Sequence, residues 1–286
     1  MKTAAIGEIL FDRFPDRDRL GGAPCNVAAM LSQFGLNSFL ISAVGRDRLA
    51  ERALAELAEL GVNTSAVQTN ELPTGEVRVS LDSHGKPTYT FAEKSAWDQI
   101  CWTPALAELA PTFDAVCFGT LAQRNGSAET IRTFLRHTRK DALRVFDLNL
   151  RAPYYDRNVV LETLQLANML KLNDEELPIL AGFLEVKPEE VIPRLLAGNI
   201  ELVALSLGPE GAELHRRGEC SRAPAGELEK MVDSVGAGDS FTATLIAGLL
   251  RGLPLDRINR HGNRVASYVC SQHGATPPLP DSLKEF

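Results

Sequence analysis

Residues 232–241 read VDSVGAGDSF. Gly236, Ala237 and Gly238 offer almost no side chain, so the chemistry of this stretch lies in its backbone N–H groups. An apolar-periodic helix follows at once, and the start of a helix carries unpaired N–H groups and partial positive charge. Glycines let successive N–H groups converge into an anion nest, and phosphate is the commonest anion for such a place. Asp239 is out of place in a nest that only binds, because a carboxylate repels phosphate. It makes sense beside a hydroxyl. The carboxylate then takes the hydroxyl proton as that oxygen attacks, while the nest holds the charge on the transferred group. Nest plus base is the minimum for phosphoryl transfer to an alcohol. The bland alternative is that Gly236 and Gly238 only make a tight turn.

Two other phosphate motifs are excluded. G-x-G-x-x-G fails because position 241 is Phe and ELEKMVDSV is a poor buried strand. Asp256 follows Pro254 at a helix start rather than ending a strand. No G-x-x-x-x-G-K-[ST] occurs. His84, His137, His215, His261 and His273 show no metal-ligand spacing. Arg151, in DLNLR, follows a strand end, where α/β ligand sites lie; it reaches a phosphate or a substrate acid there, or only covers surface.

These residues need a scaffold. Strand-like stretches (AAIGEIL, SFLISAVG, FDAVCFG, LRVFDLNL, NMLKLN, ELVALSLG) alternate with helical ones over most of the 286 residues. The βαβα rhythm predicts a largely parallel sheet covered by helices on both faces. PCNVAAMLSQF, opened by Pro24 and closed by Gly35, RDRLAERALAELAELG, AETIRTFLRHT, a segment near 159–167, SFTATLIAGLL and RINRHGNRVASYVCSQ read as helices. TGEVRVSLDSHGKPTYTFAE breaks the rhythm. Val77, Val79 and Leu81, a polar turn, then Tyr89 and Phe91 make a hairpin with one wet face, and EILFDRFPD is placed to pair with it. The expected organisation is one domain over 1–286, with a small antiparallel lid from segments about 9–19 and 74–93; such a sheet also offers a homodimer surface. Net charge is −7 with no basic stripe, which argues against a nucleic-acid partner. Five scattered cysteines without C-x-x-C suit a reducing cytosol, and Glu8 and Asp12 interrupt the apolar start too early for a signal peptide. No stretch is long and apolar enough to span a membrane. The expected location is cytoplasmic.

The set resembles the ribokinase-like, phosphofructokinase-B type carbohydrate kinases. Their late D-T-x-G-A-G-D signature is matched by Asp233 to Asp239, with Ser234 for Thr. Their early Gly-Gly followed by Asn is matched by Gly21, Gly22 and Asn26 in GGAPCNVA. VGRD, with Ala50 where many members carry Gly, and KLNDEE, with Asn173 and Glu176, complete a resemblance over nearly the whole chain. It implies a three-layer α/β/α domain with Asp239 as catalytic base and the N–H groups of Gly236, Ala237 and Gly238 as anion hole. It implies that Asn173 and Glu176 order Mg²⁺ and its waters beside ATP. Ser206, Gly208 and Gly211 would lie along the nucleotide, and Asn263 near the adenine. Asp12, Gly22 and Asn26 would hold sugar hydroxyls. The carbonyls of Asp233 and Val235 and the stretch near Gly274 would take a monovalent cation such as K⁺. Bland readings stand beside these. Asp12 fits a solvated strand end, Asn26 a helix surface. Asn173 fits an N-cap with Glu176 as capping-box partner, a reading that holds alongside the functional one.

GEILFDRFPDRDRLGGAPCNVA, EKSAWD and FDLNLRAPYY resemble bacterial fructokinases most. A 2-keto-3-deoxygluconate kinase is the nearest competitor and would need a cation for its carboxylate. Such kinases tend to carry Arg just before the lid's Ser-Ala; here Ala92, Glu93 and Lys94 stand there, and an acid suits a neutral polyol. Arg151 keeps the competitor open. A nucleoside kinase would want aromatic stacking near the lid, and Tyr89, Phe91 and Trp97 leave that reading open too.

Overall fold

The computed structural model describes residues 1–13, 18–81, 87–228 and 230–286. The polar turn expected at the hairpin tip falls on 82–86, outside the described residues, as do the side chains of Val79, Leu81 and Tyr89. In chain order the strands are β1 (Lys2–Ile6), β2 (Leu10–Arg13), β3 (Asp18–Gly21), β4 (Asn37–Val44), β5 (Val67–Thr69), β6 (Gly75–Leu81), β7 (Pro87–Phe91), β8 (Ala115–Gly119), β9 (Leu143–Asp147), β10 (Met169–Asn173), β11 (Leu202–Ser206), β12 (Ala212–Arg216) and β13 (Glu219–Ala223). The helices are α1 (Ala23–Gln33), α2 (Arg48–Glu59), α3 (Pro104–Leu109), α4 (Ser127–His137), α5 (Arg157–Leu166), α6 (Glu176–Leu184), α7 (Pro188–Ala197), α8 (Ala237–Leu250), α9 (Leu255–Cys270) and α10 (Asp281–Lys284).

Nine strands form one sheet in the order β13-β12-β11-β10-β9-β8-β1-β4-β5. The run from β11 to β5 is parallel, and β12 and β13 join antiparallel at one edge. Period-two alternation sorts the strand residues between two layers. Val116, Phe118, Phe146, Leu170, Leu172, Val203 and Leu205 pack with Ile131, Phe134, Val160, Leu180 and Val191 of α4–α7. Cys117, Val145, Met169, Leu202 and Ala204 pack with Val27 and Met30 of α1, Phe241 and Leu245 of α8 and Val265 of α9. A three-layer α/β/α fold results, as expected from the alternating elements.

The expected buried strand AAIGEIL is instead divided between two sheets. It pairs in the large sheet through Ile6, then enters the small sheet at Leu10. The small sheet runs β3-β2-β6-β7. Its two hairpins are antiparallel, and they join through a parallel β2–β6 pairing that sets Asp12 opposite Val77. The β12–β13 hairpin has no counterpart in the expected elements.

Chain direction explains where a site forms. From β1 the chain winds outward through β4 and β5, then returns to β8 and winds the other way. Between β1 and β8 the two winding directions part, and open α/β sheets hold ligands beyond the strand carboxyl ends at such a point.

Candidate functional site

A cleft of about 340 Å³ opens there, lined by Glu8, Asp12, Asn26, Arg151, Lys171 and Asp239 among others, with Val77, Phe91 and Leu121 as apolar wall. The small sheet covers one side and the start of α8 the other.

Gly236 is the left-handed residue that ends the loop, at φ 81°. A Cβ there would lie 2.5 Å from Cα and O of Ala275, so the loop turns only because position 236 has none. Helix α8 starts at Ala237, and Asp239 sits in its first turn. The Ala237 N–H donates to the Ser234 carbonyl at 3.3 Å. Among the described residues the N–H groups of Gly236 and Gly238 have no protein acceptor. The expected three-donor nest is therefore two free donors and one committed to the turn. A Cβ on Gly238 would stand 3.0 Å from Lys171 Nζ, so glycine keeps open a cradle between a helix N-terminus and an ammonium.

Lys171 is a cation in the middle of β10, 6% exposed. Its Nζ lies 3.2 Å from Asp147 Oδ1, at the end of β9, and Thr242 Oγ1 donates to Asp147 Oδ2 at 2.9 Å. Burial pulls the ammonium down, but Asp147, Glu176 and Asp239 outweigh it and hold its pKa above the ordinary value. The positive charge beneath Gly238 is thus permanent.

Asp239 accepts from Asn26 Nδ2 at 2.7 Å, an interaction between α1 and α8. Burial lifts its pKa to about 6, Asp147 adds to the lift, and Asn26, Lys171 and Arg151 pull it back. A carboxyl poised near neutrality is suited to accept a proton. Glu8 shares this floor. Its Oε1 accepts from the Ala23 N–H at 3.2 Å, while Oε2 is buried without a partner. Burial raises Glu8 to about 7 against the lowering effect of backbone donors. Asp12, on β2, is raised to about 6 by burial, with Arg151 and Arg19 opposing.

The structure brings Asp12, Gly22, Asn26, Arg151, Asn173, Val235, Gly236, Gly238 and Asp239 to this one cleft. Other expected residues lie elsewhere. Glu93 is exposed and lines a separate cavity of about 380 Å³ with Arg124 and Tyr154. Arg124 there is bound to both oxygens of Asp98 at 2.8 Å. Asn173 and Glu176 form the capping box: the Glu176 N–H donates to Asn173 Oδ1 at 2.8 Å and the Asn173 N–H to Glu176 Oε2 at 2.9 Å. Glu176 Oε1 accepts a second N–H, from Leu150, at 2.7 Å. Ser206 pairs with Asn173 across β10–β11, and its hydroxyl donates to the Leu172 carbonyl. Gly208 and Gly211 bracket the β11–β12 turn, where a Cβ on Gly211 would strike the Ala223 carbonyl. Asn263 of α9 donates to the backbone and side chain of Asn259, which holds the carbonyls of Ala212 and Ser221. Gly274 and Val235 line a neighbouring cavity of about 420 Å³ that shares Asp12 and Asn26 with the cleft. Asp233 holds Arg19 by an ion pair at 2.9 Å.

Glu8, Asp147, Lys171 and Thr242 were given no role in the sequence reading. A signal existed for Lys171 and Asp147, since a charge inside an otherwise apolar strand must find a buried partner. Nothing in one sequence says that the two are each other's partner.

Comparisons with known proteins show the family. The pfkB family of carbohydrate kinases matches residues 16–282. A fructokinase of Klebsiella pneumoniae is 30% identical over 274 residues, covering 88% of this chain and 86% of the relative. A 2-dehydro-3-deoxygluconokinase of Bacillus subtilis is 29% identical over 280 residues, with 93% and 85% covered. Among solved structures, an uncharacterized sugar kinase from Pyrococcus horikoshii in complex with ATP superposes with a TM-score of 0.82 at 28% identity, over 96% of this chain and 94% of that one. A match across most of the chain, on a ribokinase-like fold, places the protein in the pfkB family of carbohydrate kinases: it is an ATP-dependent sugar kinase.

Proposed function

We propose that the acceptor is D-fructose and that the product is fructose 6-phosphate. One observation carries the reading: the charge of the cleft. Three carboxyl groups line it, Glu8, Asp12 and Asp239. Of its two cations, Lys171 is committed to Asp147. A neutral polyol gains hydrogen bonds from carboxylates. A carboxylated sugar would be stripped of water beside them, at a cost of several kcal/mol unless a cation pairs with it. Among the described residues no cation at the lid stands in for the absent Arg, since Arg124 is held by Asp98, which leaves Arg151 as the one cleft cation not committed to a partner.

The chemistry follows from the floor. Bound ATP supplies the phosphoryl group. The acceptor hydroxyl is held by Asp12, Asn26 and the backbone at Gly22. Its proton passes to Asp239 as its oxygen bonds to the γ-phosphorus, and the bond to the departing ADP oxygen breaks. The N–H groups of Gly236 and Gly238, with Lys171 behind them, take the charge spread over the transferred group. Asn26 aims the Asp239 carboxylate. Asn173 and Glu176 would meet Mg²⁺ through water, using lone pairs that the capping box leaves free. Ser206, Gly208, Gly211 and Asn263 would flank the nucleotide along the β11–β12 turn and α9. The small sheet acts as a lid that excludes water.

A second reading is favoured by Arg151. It lines the cleft, and among the described residues it forms no ion pair of its own, so it is placed to take the carboxylate of 2-keto-3-deoxygluconate. Side-by-side kinetics at saturating ATP decide. We expect kcat/KM for D-fructose to exceed that for the keto-deoxy acid by at least ~10-fold. Arg151→Ala should leave that ratio unchanged. The fructose reading fails if the keto-deoxy acid is the better substrate.

A further inference from the structure

The corner where the resemblance implies a monovalent cation already holds a positive charge. Asp233 begins the loop that ends in the anion hole. Its Oδ2 is paired with Arg19 Nη1 at 2.9 Å and faces the Gly274 N–H at 3.4 Å. Its Oδ1 accepts from the Val235 N–H at 3.1 Å. The carbonyls of Asp233 and Val235, expected to ligate K⁺, belong to the same loop as this carboxylate, which is already ringed by the guanidinium and by the Val235 and Gly274 N–H groups. K⁺ takes oxygen ligands, and a guanidinium in the same corner repels it. The positive charge that a monovalent ion would bring to this corner is already supplied by Arg19.

Arg19 does not come from the large sheet. It lies on β3, directly opposite Asp12 on β2. Asp12 lines the cleft, and both Arg19 and Asp233 act on its carboxyl. The guanidinium is thus the middle member of a row: a cleft acid, a cation on the small sheet, and the acid that opens the anion-hole loop. The pair bridges 214 residues of sequence, and its side chains are only 25% and 20% exposed, so solvent screens it less than a surface pair.

We propose that Arg19 is a positioning residue that takes the place of a monovalent cation: its charge holds the 233–239 loop so that the Gly236 and Gly238 N–H groups face the transferred phosphoryl. Turnover is then independent of K⁺. The proposal rests on the sugar-kinase reading of the loop, not on fructose as acceptor.

The test compares wild type, Arg19→Ala and Arg19→Lys in KCl and in tetramethylammonium chloride at matched ionic strength. Phosphorylation is followed with whichever sugar turns over best, and thermal unfolding is followed without any sugar. Wild-type kcat should change by less than about twofold between the salts, and K⁺ should not raise its Tm. In tetramethylammonium, Arg19→Ala should lose at least ~10-fold in kcat with sugar KM within about threefold, the pattern of a lost transition-state interaction. Arg19→Lys should keep kcat within about threefold, because it keeps the charge. Three results would overturn the proposal: wild type activated severalfold by K⁺ with a raised Tm, Arg19→Ala with wild-type kcat in tetramethylammonium, or Arg19→Lys as slow as Arg19→Ala. The unfolding arm stands even if no sugar is turned over.

Discussion

The floor of the cleft and the small sheet above it are built on opposite principles. The floor is deep and polar. Asp147, Lys171, Thr242, Asn26 and Asp239 come from β9, β10, α8 and α1; the first four are at most 6% exposed and Asp239 is half-buried, and the polar contacts among them join different elements. The small sheet meets the body through buried apolar side chains, Leu10, Val77 and Phe91, and through polar ones at its margin. Arg19 reaches Asp233, Phe91 packs edge-on against Tyr154, and Arg124 holds the Ala92 carbonyl at 2.8 Å. Displacing one floor residue leaves a buried charge unpaired, whereas the sheet's contacts are buried apolar ones, a hydrogen bond to a carbonyl and a part-exposed ion pair, none of which strands a fully buried charge when it breaks. The floor is suited to hold charge during phosphoryl transfer, and the sheet to admit and cover the acceptor.

The largest test of this division is Asp239→Asn. We expect kcat to fall by at least ~10²-fold, the scale of a lost general base, with sugar KM little changed. Because burial makes the Asp239 carboxylate costly, the variant should unfold at the wild-type temperature or above it. Wild-type kcat/KM should also fall about tenfold per pH unit below about pH 6, where Asp239 gains its proton. Near wild-type turnover in folded Asp239→Asn would remove Asp239 from the reaction.

Gly238→Val is next. Its Cβ would press on Lys171 Nζ, and its methyl groups would fill the cradle. Turnover should drop by at least ~10-fold while sugar KM moves less, since the anion hole faces the transferred group and not the sugar ring. A folded Gly238→Val enzyme with unaltered kcat would show that the cradle does not touch phosphate.

Glu8→Gln should leave turnover least affected of the three and change stability instead. The Glu8 pKa rises from 4.5 to about 7 on folding. The folded state therefore binds the proton more tightly, so the stabilisation is present below pH 4.5 and is lost as pH rises through about 7. The loss is about 3 kcal/mol when complete. Glutamine carries no charge, so Glu8→Gln should raise Tm by several degrees at pH 8 and by much less at pH 5. Equal Tm differences at both pH values would mean that Glu8 is not a buried charge.

Much of this division was legible in the chain. Period-two strands, amphipathic helices and the βα alternation imply the layered fold, because burial patterns are local and repeat along the sequence. The Gly236–Asp239 stretch implies an anion nest with a base, because a helix start and its first turn lie within a few residues. The capping box of Asn173 and Glu176 is local in the same way. The division of AAIGEIL between two sheets was not legible, because a strand that changes partners keeps one apolar pattern. The commitment of the Ala237 N–H to a turn and the position of Glu93 outside the cleft were equally hidden.

What only the tertiary structure decided is which charges meet. Lys171 and Asp147 are 24 residues apart, Asn26 and Asp239 are 213, and Arg19 and Asp233 are 214. A single sequence fixes the sign of each charge but not its distance from another. Coulomb energy and the cost of burial both depend on that distance and on the surrounding dielectric, and these exist only once the chain has folded.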